Sequence, residues 1–321
     1  ELANKSPSLI VGGCMLNRNQ SAHQHLTYTD VAIREAIASG KNHLAFDEKI
    51  LAKIEYKQSI EQAIKLGLDR KLFSVAYQPI IDLMTEQPIG FEALIRLQTE
   101  AGTSISPVNF IPIAESAGLL NDITDYLCDR VSAEAVEIYK LFKNYDTQPY
   151  VNVNISPSQL IDVKRTVTAL KHAEKSGVKI NVEITESGIL NDDSARRIFN
   201  VFQTEGFSIA IDDFGTGHSS IQHLERYNFS TLKVDQSFVS NIDDPQAYRF
   251  LNAIINLART AATYTIVEGV ETLQQKLLLM KMGVRFCQGY YWGHPMKISE
   301  LEIYLTEKYG FNKARKIDLS M

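Results

Sequence analysis

At 321 residues, 45% hydrophobic and 22% charged, the chain has ordinary globular composition, with material for a barrel-sized core and a smaller piece. A net charge of −5 argues against DNA or RNA as partner, so a phosphate-bearing ligand needs locally placed cations or a metal ion. Three scattered cysteines, Cys14, Cys128 and Cys287, with no CxxC pair, exclude a disulfide framework and a zinc ribbon, and the reading is a cytoplasmic chain with reduced thiols.

The chain opens on Glu1 in mid-pattern, with no leader and no apolar run of bilayer length. The expectation is a piece of a longer protein, whose missing part carries any membrane contact or sensor. Ser8–Cys14 reads as a buried strand ending in a glycine turn. Val31, Ile33, Ala36 and Ile37 then form one apolar helical face, with Thr29 or Asp30 as N-cap and Gly40 as the stop. Leu44–Phe46 reads as a last short strand. Residues 1–52 are thus a small N-terminal α+β fragment and linker, too short to hold a core alone. A helix follows over 46–71, with Ile54, Ile60, Ala63, Ile64 and Leu66 at helical spacing.

From Leu72 the rhythm becomes short apolar strands alternating with amphipathic helices. Strands are predicted at Phe73–Ile80, Ile89–Leu94, Tyr150–Ile155, Lys179–Thr185, Ser208–Asp213, Thr231–Val234, Thr265–Val267 and Val284–Cys287. Helices are predicted at Asp122–Phe142, Ser194–Glu205, Ala247–Ala262 and Leu273–Lys281. Eight strands with intervening helices define an α/β fold, a modified TIM (β/α)8 barrel over 53–310, with 311–321 as a tail. The link from Ile80 to Ile89 is too short for a helix, so the first two strands pair as a hairpin and one strand is antiparallel.

Active sites of such barrels lie at the C-terminal ends of the strands. Polar residues fall there repeatedly: Glu92, Asn154, Glu183 with Glu186, Asp212 with Asp213, Lys233 with Asp235, Glu268 with Glu271, and Gln288. One strand-end carboxylate ordinarily caps a helix or faces solvent. Carboxylates converging from four or more strands repel one another strongly, so either several are protonated or a cation neutralises them. Oxygen ligands without His or Cys favour Mg²⁺ or Mn²⁺ over Zn²⁺. Adjacent Asp212 and Asp213 can bridge two ions about 3.5–4 Å apart, the arrangement used for phosphodiester hydrolysis. Lys233 can orient a water or steady a phosphorane-like transition state. Its structural alternative is an internal ion pair with Asp235 or Glu268.

In order, Tyr77-Gln78-Pro79-Ile80, Gly90-Phe91-Glu92-Ala93-Leu94-Ile95-Arg96, Asn154-Ile155-Ser156 and Glu183-Ile184-Thr185-Glu186 resemble the EAL phosphodiesterase family. The resemblance continues through Asp212-Asp213-Phe214-Gly215-Thr216-Gly217, Leu232-Lys233-Val234-Asp235, Glu268-Gly269-Val270-Glu271 and Gln288-Gly289-Tyr290. It implies hydrolysis of cyclic di-GMP to linear pGpG with two Mg²⁺ or Mn²⁺ ions. It implies Glu92, Asn154, Glu183 and Asp212 as ligands of the first ion, and Asp212 and Asp213 of the second. Catalysis falls to Glu268, Lys233 and Glu92, with Glu268 holding or deprotonating the attacking water. Gln78, Leu94, Arg96, Asp235 and Gln288 match substrate-contacting positions, and Glu186 matches the residue holding the loop after Asp213.

His218 stands where the family shows an aromatic, and reads as loop packing. Asn152, on the same face as Asn154, reads as structural. A homodimer through Ile221–Tyr227 and Ser237–Tyr248 is implied by resemblance alone. Residues Ser8–Gly13, Asp30–Ala32 and Gly40–Asn42 are similar to the end of a GGDEF domain, without that family's Gly-Gly-Asp/Glu-Glu-Phe signature. Two other functions compete with an active phosphodiesterase. One is a silent cyclic di-GMP receptor of the same fold. The other is a metal-dependent lyase or aldolase with Lys233 as a Schiff-base lysine.

Overall fold

The computed structural model describes residues 9–16, 21–142, 148–186, 192–216, 229–261 and 264–309. The chain divides into two units, Glu1–Leu66 and Gly67–Met321. In the first, strands β1 (Val11–Gly13) and β2 (His43–Ala45) pair in parallel around the helix Ala22–Ala38. A Cβ on Gly12 would lie 2.4 Å from Ile33 Cγ1, so glycine lets this strand press onto the helix. The helix begins a full two turns before the predicted cap. Ser21 is the N-cap, forming a reciprocal capping box with Gln24. The helix stops before Gly40, which takes a φ of +65. A helix over Glu48–Arg70 leads into the second unit.

That unit is a closed barrel. Its strands are β3 (Phe73–Asp82), β4 (Gln87–Gln98), β6 (Tyr150–Asn154), β7 (Lys179–Thr185), β8 (Ser208–Phe214), β9 (Thr231–Val234), β10 (Tyr264–Val267) and β11 (Phe286–Gln288). A two-residue strand, β5 (Ser104–Ile105), hangs on β4 outside the ring. The ring runs β3-β11-β10-β9-β8-β7-β6-β4 and closes through β3–β4. β3 is antiparallel to both neighbours, whereas the strands from β4 round to β11 are parallel. The predicted hairpin and single reversed strand are therefore present.

Outward-facing residues such as Val151, Val153, Ile180, Val182 and Leu232 are buried beneath the surrounding helices. The predicted helix Asp122–Phe142 is two helices, Leu120–Ala133 and Ala135–Phe142. The break falls at Glu134, whose carboxylate accepts a hydrogen bond from the Tyr77 hydroxyl at 2.8 Å. A helix at Pro107–Ser116 escaped prediction because Pro112 lies inside it. No described helix is long and apolar enough to cross a membrane.

At the end of β11 the backbone makes a close approach. Val270 N donates to Gln288 O at 3.2 Å, and Tyr291 N donates to Val270 O at 2.9 Å. A Cβ on Gly289 would sit 2.1 Å from Val270 O and 2.4 Å from Val270 N, both rigid backbone atoms. Gly289→Ala is expected to cost about 1–3 kcal/mol as an overpacking change. Urea unfolding measures this, and an unchanged midpoint would show that the two loops separate freely.

Candidate active site

Strand periodicity decides what enters the barrel. Alternate residues of β4 place Glu92, Leu94 and Arg96 on one face. The same rule aligns Asn152 with Asn154 on β6, and Asn181 with Glu183 and Thr185 on β7. Across the sheet, Asn154 pairs with Glu183 and Asn152 with Asn181. Asp212 and Asp213 are consecutive, so a regular strand would send them to opposite faces. The β8–β9 register breaks between Ile211 and Phe214, and Asp213 takes a left-handed φ of +56. This irregularity re-aims the second carboxylate. Carboxylate oxygens of Asp212, Asp213 and Glu268 consequently lie within 4.8 Å of one another, as do those of Glu92, Glu183 and Asp212.

Lys233 stands fully buried at the centre. Its Nζ lies 2.7 Å from Glu268 Oε1, 2.9 Å from Glu183 Oε1, 3.1 Å from Asp212 Oδ1 and 3.5 Å from Glu92 Oε2. The ion pair that stood as the structural alternative for Lys233 is formed with Glu268 rather than Asp235, and extends to three further carboxylates. Gln288 Nε2 donates to Glu92 Oε2 at 2.6 Å and to Gln78 Oε1 at 3.0 Å. Asn154 Nδ2 donates to Glu92 Oε1 at 2.8 Å. Asn152 Nδ2 donates to Glu183 Oε1 at 2.6 Å, a contact that sequence reasoning missed because Asn152 was read as structural.

Four carboxylates around one ammonium leave excess negative charge in a dry interior. Burial raises the Glu268 pKa to about 8, and Asp212 and Glu92 add to the rise against the opposing pull of Lys233. Burial likewise pushes Glu183 well up, with Glu92, Asp212 and Glu268 adding repulsion. Asp213 rises to about 6, from desolvation and the charges of Asp212 and Asp235. Glu92 is the exception. Burial would raise it, but Lys233, Gln288 and Asn154 outweigh burial and hold it below its ordinary value. Burial would also lower Lys233, yet Asp212, Glu183, Glu268 and Glu92 reverse this and hold it charged. The cluster therefore takes up either protons or cations.

The donor set fits a divalent ion. Glu183 Oε2 is buried with no hydrogen-bond partner, a ligand atom left over after the internal contacts are made. The surrounding ligand atoms are all oxygen, which suits Mg²⁺ or Mn²⁺.

Beside the cluster lies a cavity of about 540 Å³ lined by Leu94, Arg96, Asn154, Thr185, Glu115 and the apolar Ile111. Leu94 and Arg96 are both half-buried there. Arg96 Nη1 donates to Ile95 O at 2.9 Å, so most of its donors stay open to a ligand. Glu186 Oε2 accepts the Gly215 amide at 2.7 Å and so ties down the backbone following Asp213. The charge of Asp235 acts on Asp213. Its carboxylate caps the turn Gln236–Phe238 by accepting from Ser237 N at 2.9 Å. His218 and the segment Ile221–Tyr227 lie outside the described residues.

A family model described as EAL domain matches residues 58–295. Among curated proteins, the biofilm architecture maintenance protein MbaA of Vibrio cholerae is 30% identical over 285 residues, covering 87% of this chain and 35% of MbaA. The probable cyclic di-GMP phosphodiesterase PdeN of Escherichia coli is 32% identical over 253 residues, covering 77% of this chain and 48% of PdeN. The chain therefore spans about a third to a half of these relatives. Among solved structures, a cyclic di-GMP complex of the PaMucR phosphodiesterase superposes with a TM-score of 0.69 at 29% identity. That match covers 76% of this chain and 99% of the other.

Proposed function

The chain belongs to the EAL domain family, and from that premise we propose that its barrel hydrolyses one phosphodiester of cyclic di-GMP to give linear pGpG. The observation that carries the proposal is the Lys233-centred carboxylate cluster with its unpartnered Glu183 Oε2, set beside the cavity that holds Leu94 and Arg96. Glu92, Asn154, Glu183 and Asp212 would hold one divalent cation, and Asp212 with Asp213 a second. Bound Mg²⁺ or Mn²⁺ supplies charge neutralisation at the scissile phosphate and acidifies the attacking water.

The chain's own groups do the rest. Glu268 accepts the water's proton, a task for which its carboxylate is placed by Lys233 and lies among the Asp212 and Asp213 oxygens. Lys233 fixes the Glu268 carboxylate at 2.7 Å and keeps the centre from repelling an anionic substrate. Arg96 binds a phosphate oxygen through its open donors. Gln78, Leu94, Asp235 and Gln288 complete the substrate contacts, and Glu186 holds the loop after Asp213. The unit built on β1 and β2 is read as the end of a GGDEF-like domain. Pairing of two barrels through Ser237–Tyr248 is proposed on resemblance.

The test is turnover of cyclic di-GMP by the purified chain, with product followed chromatographically. Activity with Mn²⁺, loss on chelation and recovery on re-addition are expected. Tight nucleotide binding with metal present and no pGpG formed would replace the enzyme with a receptor.

A further inference from the structure

Asn152 and Asn181 pair across β6 and β7, directly below Asn154 and Glu183. Neither has a role in the mechanism above. Asn152 is 1% exposed, and its two polar atoms are both engaged. Nδ2 donates to Glu183 Oε1 at 2.6 Å, and Oδ1 accepts from Asn181 Nδ2 at 3.1 Å. A polar chain thus runs from Asn181 through Asn152 and Glu183 to Lys233.

A side-chain amide can turn over, and only one orientation offers a donor to a carboxylate. The other would set Asn152 Oδ1 against Glu183 Oε1, two acceptors facing each other in a dry interior. The Glu183 carboxylate settles the choice, because an ionised carboxylate only accepts, and Asn152 Oδ1 is then left to receive the Asn181 amide. The effect on Glu183 is asymmetric. Oε1 is engaged by Asn152 and, at 2.9 Å, by Lys233, whereas Oε2 is buried and bare. Lys233 alone cannot impose this, because it is shared among four carboxylates.

We propose that Asn152, held from behind by the Asn181 amide, is a positioning residue of the metal centre, which locks the Glu183 carboxylate so that Oε2 is reserved for the ion. This rests on the metal-dependent reading above. Outer partners of metal-ligating carboxylates typically change affinity by about 10–100-fold when removed.

The test is Mn²⁺ binding by the full chain, without nucleotide, read from the electron paramagnetic resonance signal of free Mn²⁺. Asn152→Leu keeps the side chain's shape and removes the donor. Asn181→Ala is the milder variant, since Asn181 borders a cavity of about 380 Å³ at the opposite end of the barrel. Glu183→Gln is the control. Asn152→Leu is expected to weaken Mn²⁺ binding about 10–100-fold, and Asn181→Ala by less, in the same direction. The rise in melting temperature on adding Mn²⁺, taken against each variant's own melting temperature in chelator, should shrink in parallel. Wild-type affinity in both Asn variants, with Glu183→Gln weakened, overturns the positioning role and leaves the metal reading standing. Wild-type affinity in Glu183→Gln overturns both. If Asn152→Leu does not fold, Asn181→Ala decides: unchanged affinity sinks the proposal and weakened affinity supports it.

Discussion

Lys233→Met is expected to destabilise the metal-free protein by about 3–5 kcal/mol, the usual effect of removing one partner from a buried charge cluster. Lys233 has no exposed surface and faces Glu92, Glu183, Asp212 and Glu268. Methionine fills a similar volume, so packing is not the cause. The stranded carboxylates can take up protons, which their mutual crowding favours. Divalent cations offer a second remedy, so the deficit should narrow when Mg²⁺ or Mn²⁺ is present. Turnover should not recover with it, because Glu268 loses the contact that fixes it. Urea unfolding with and without Mn²⁺, beside a turnover assay, gives the three numbers. Equal stability of the variant and the wild type in chelator would show that the cluster is protonated in the native state and that Lys233 carries little of the charge balance.

Asp212→Asn should have the opposite balance of effects. Asp212 is the one residue common to both carboxylate groups, so its charge serves both ion positions. Its loss is expected to lower kcat by about a thousandfold or more, since a catalytic ion contributes several kcal/mol and each 1.36 kcal/mol is a factor of ten. Stability should hold or rise. The cluster carries more negative than positive charge, and removing one carboxylate relieves repulsion while Lys233 keeps three partners. A functional centre that opposes folding is a familiar compromise. Turnover within tenfold of wild type would remove Asp212 from the centre.

The barrel was legible because β-branched and apolar runs have sharp ends. Lys179–Thr185, Thr231–Val234 and the helix Leu273–Lys281 have the limits that the pattern predicts. Failures came where local chemistry overrides periodicity. His23, Gln24 and His25 show no apolar stripe, yet the Ser21 capping box starts a helix there. The break in a continuous amphipathic pattern falls at Glu134, whose carboxylate meets Tyr77, a residue remote in sequence. The site was legible as a set of strand ends, and Lys233 and its acids do meet. What sequence could not supply was the irregularity at Asp212 and Asp213. Two adjacent acids look the same whether they diverge or converge. Nor could it show that Asn152 reaches Glu183. Two asparagines spaced by one residue were the available signal, but only the register with β7 gives the first of them a partner.

The reversed strand β3 has a consequence for the order of assembly. It meets β4 through a tight turn, a local pairing that forms early and at small entropic cost. Its other neighbour is β11, pairing Ile81 with Cys287 across almost the whole barrel sequence. Ring closure is therefore the most non-local event in this unit and depends on the last strand synthesised. Until then β3 and β10 each present a bare edge, open to pairing with other chains. Gln288, which bridges Gln78 and Glu92, arrives with that strand. A chain shortened before Phe286 should aggregate rather than yield a smaller barrel, and the carboxylate cluster at its rim should be among the last features to form during synthesis.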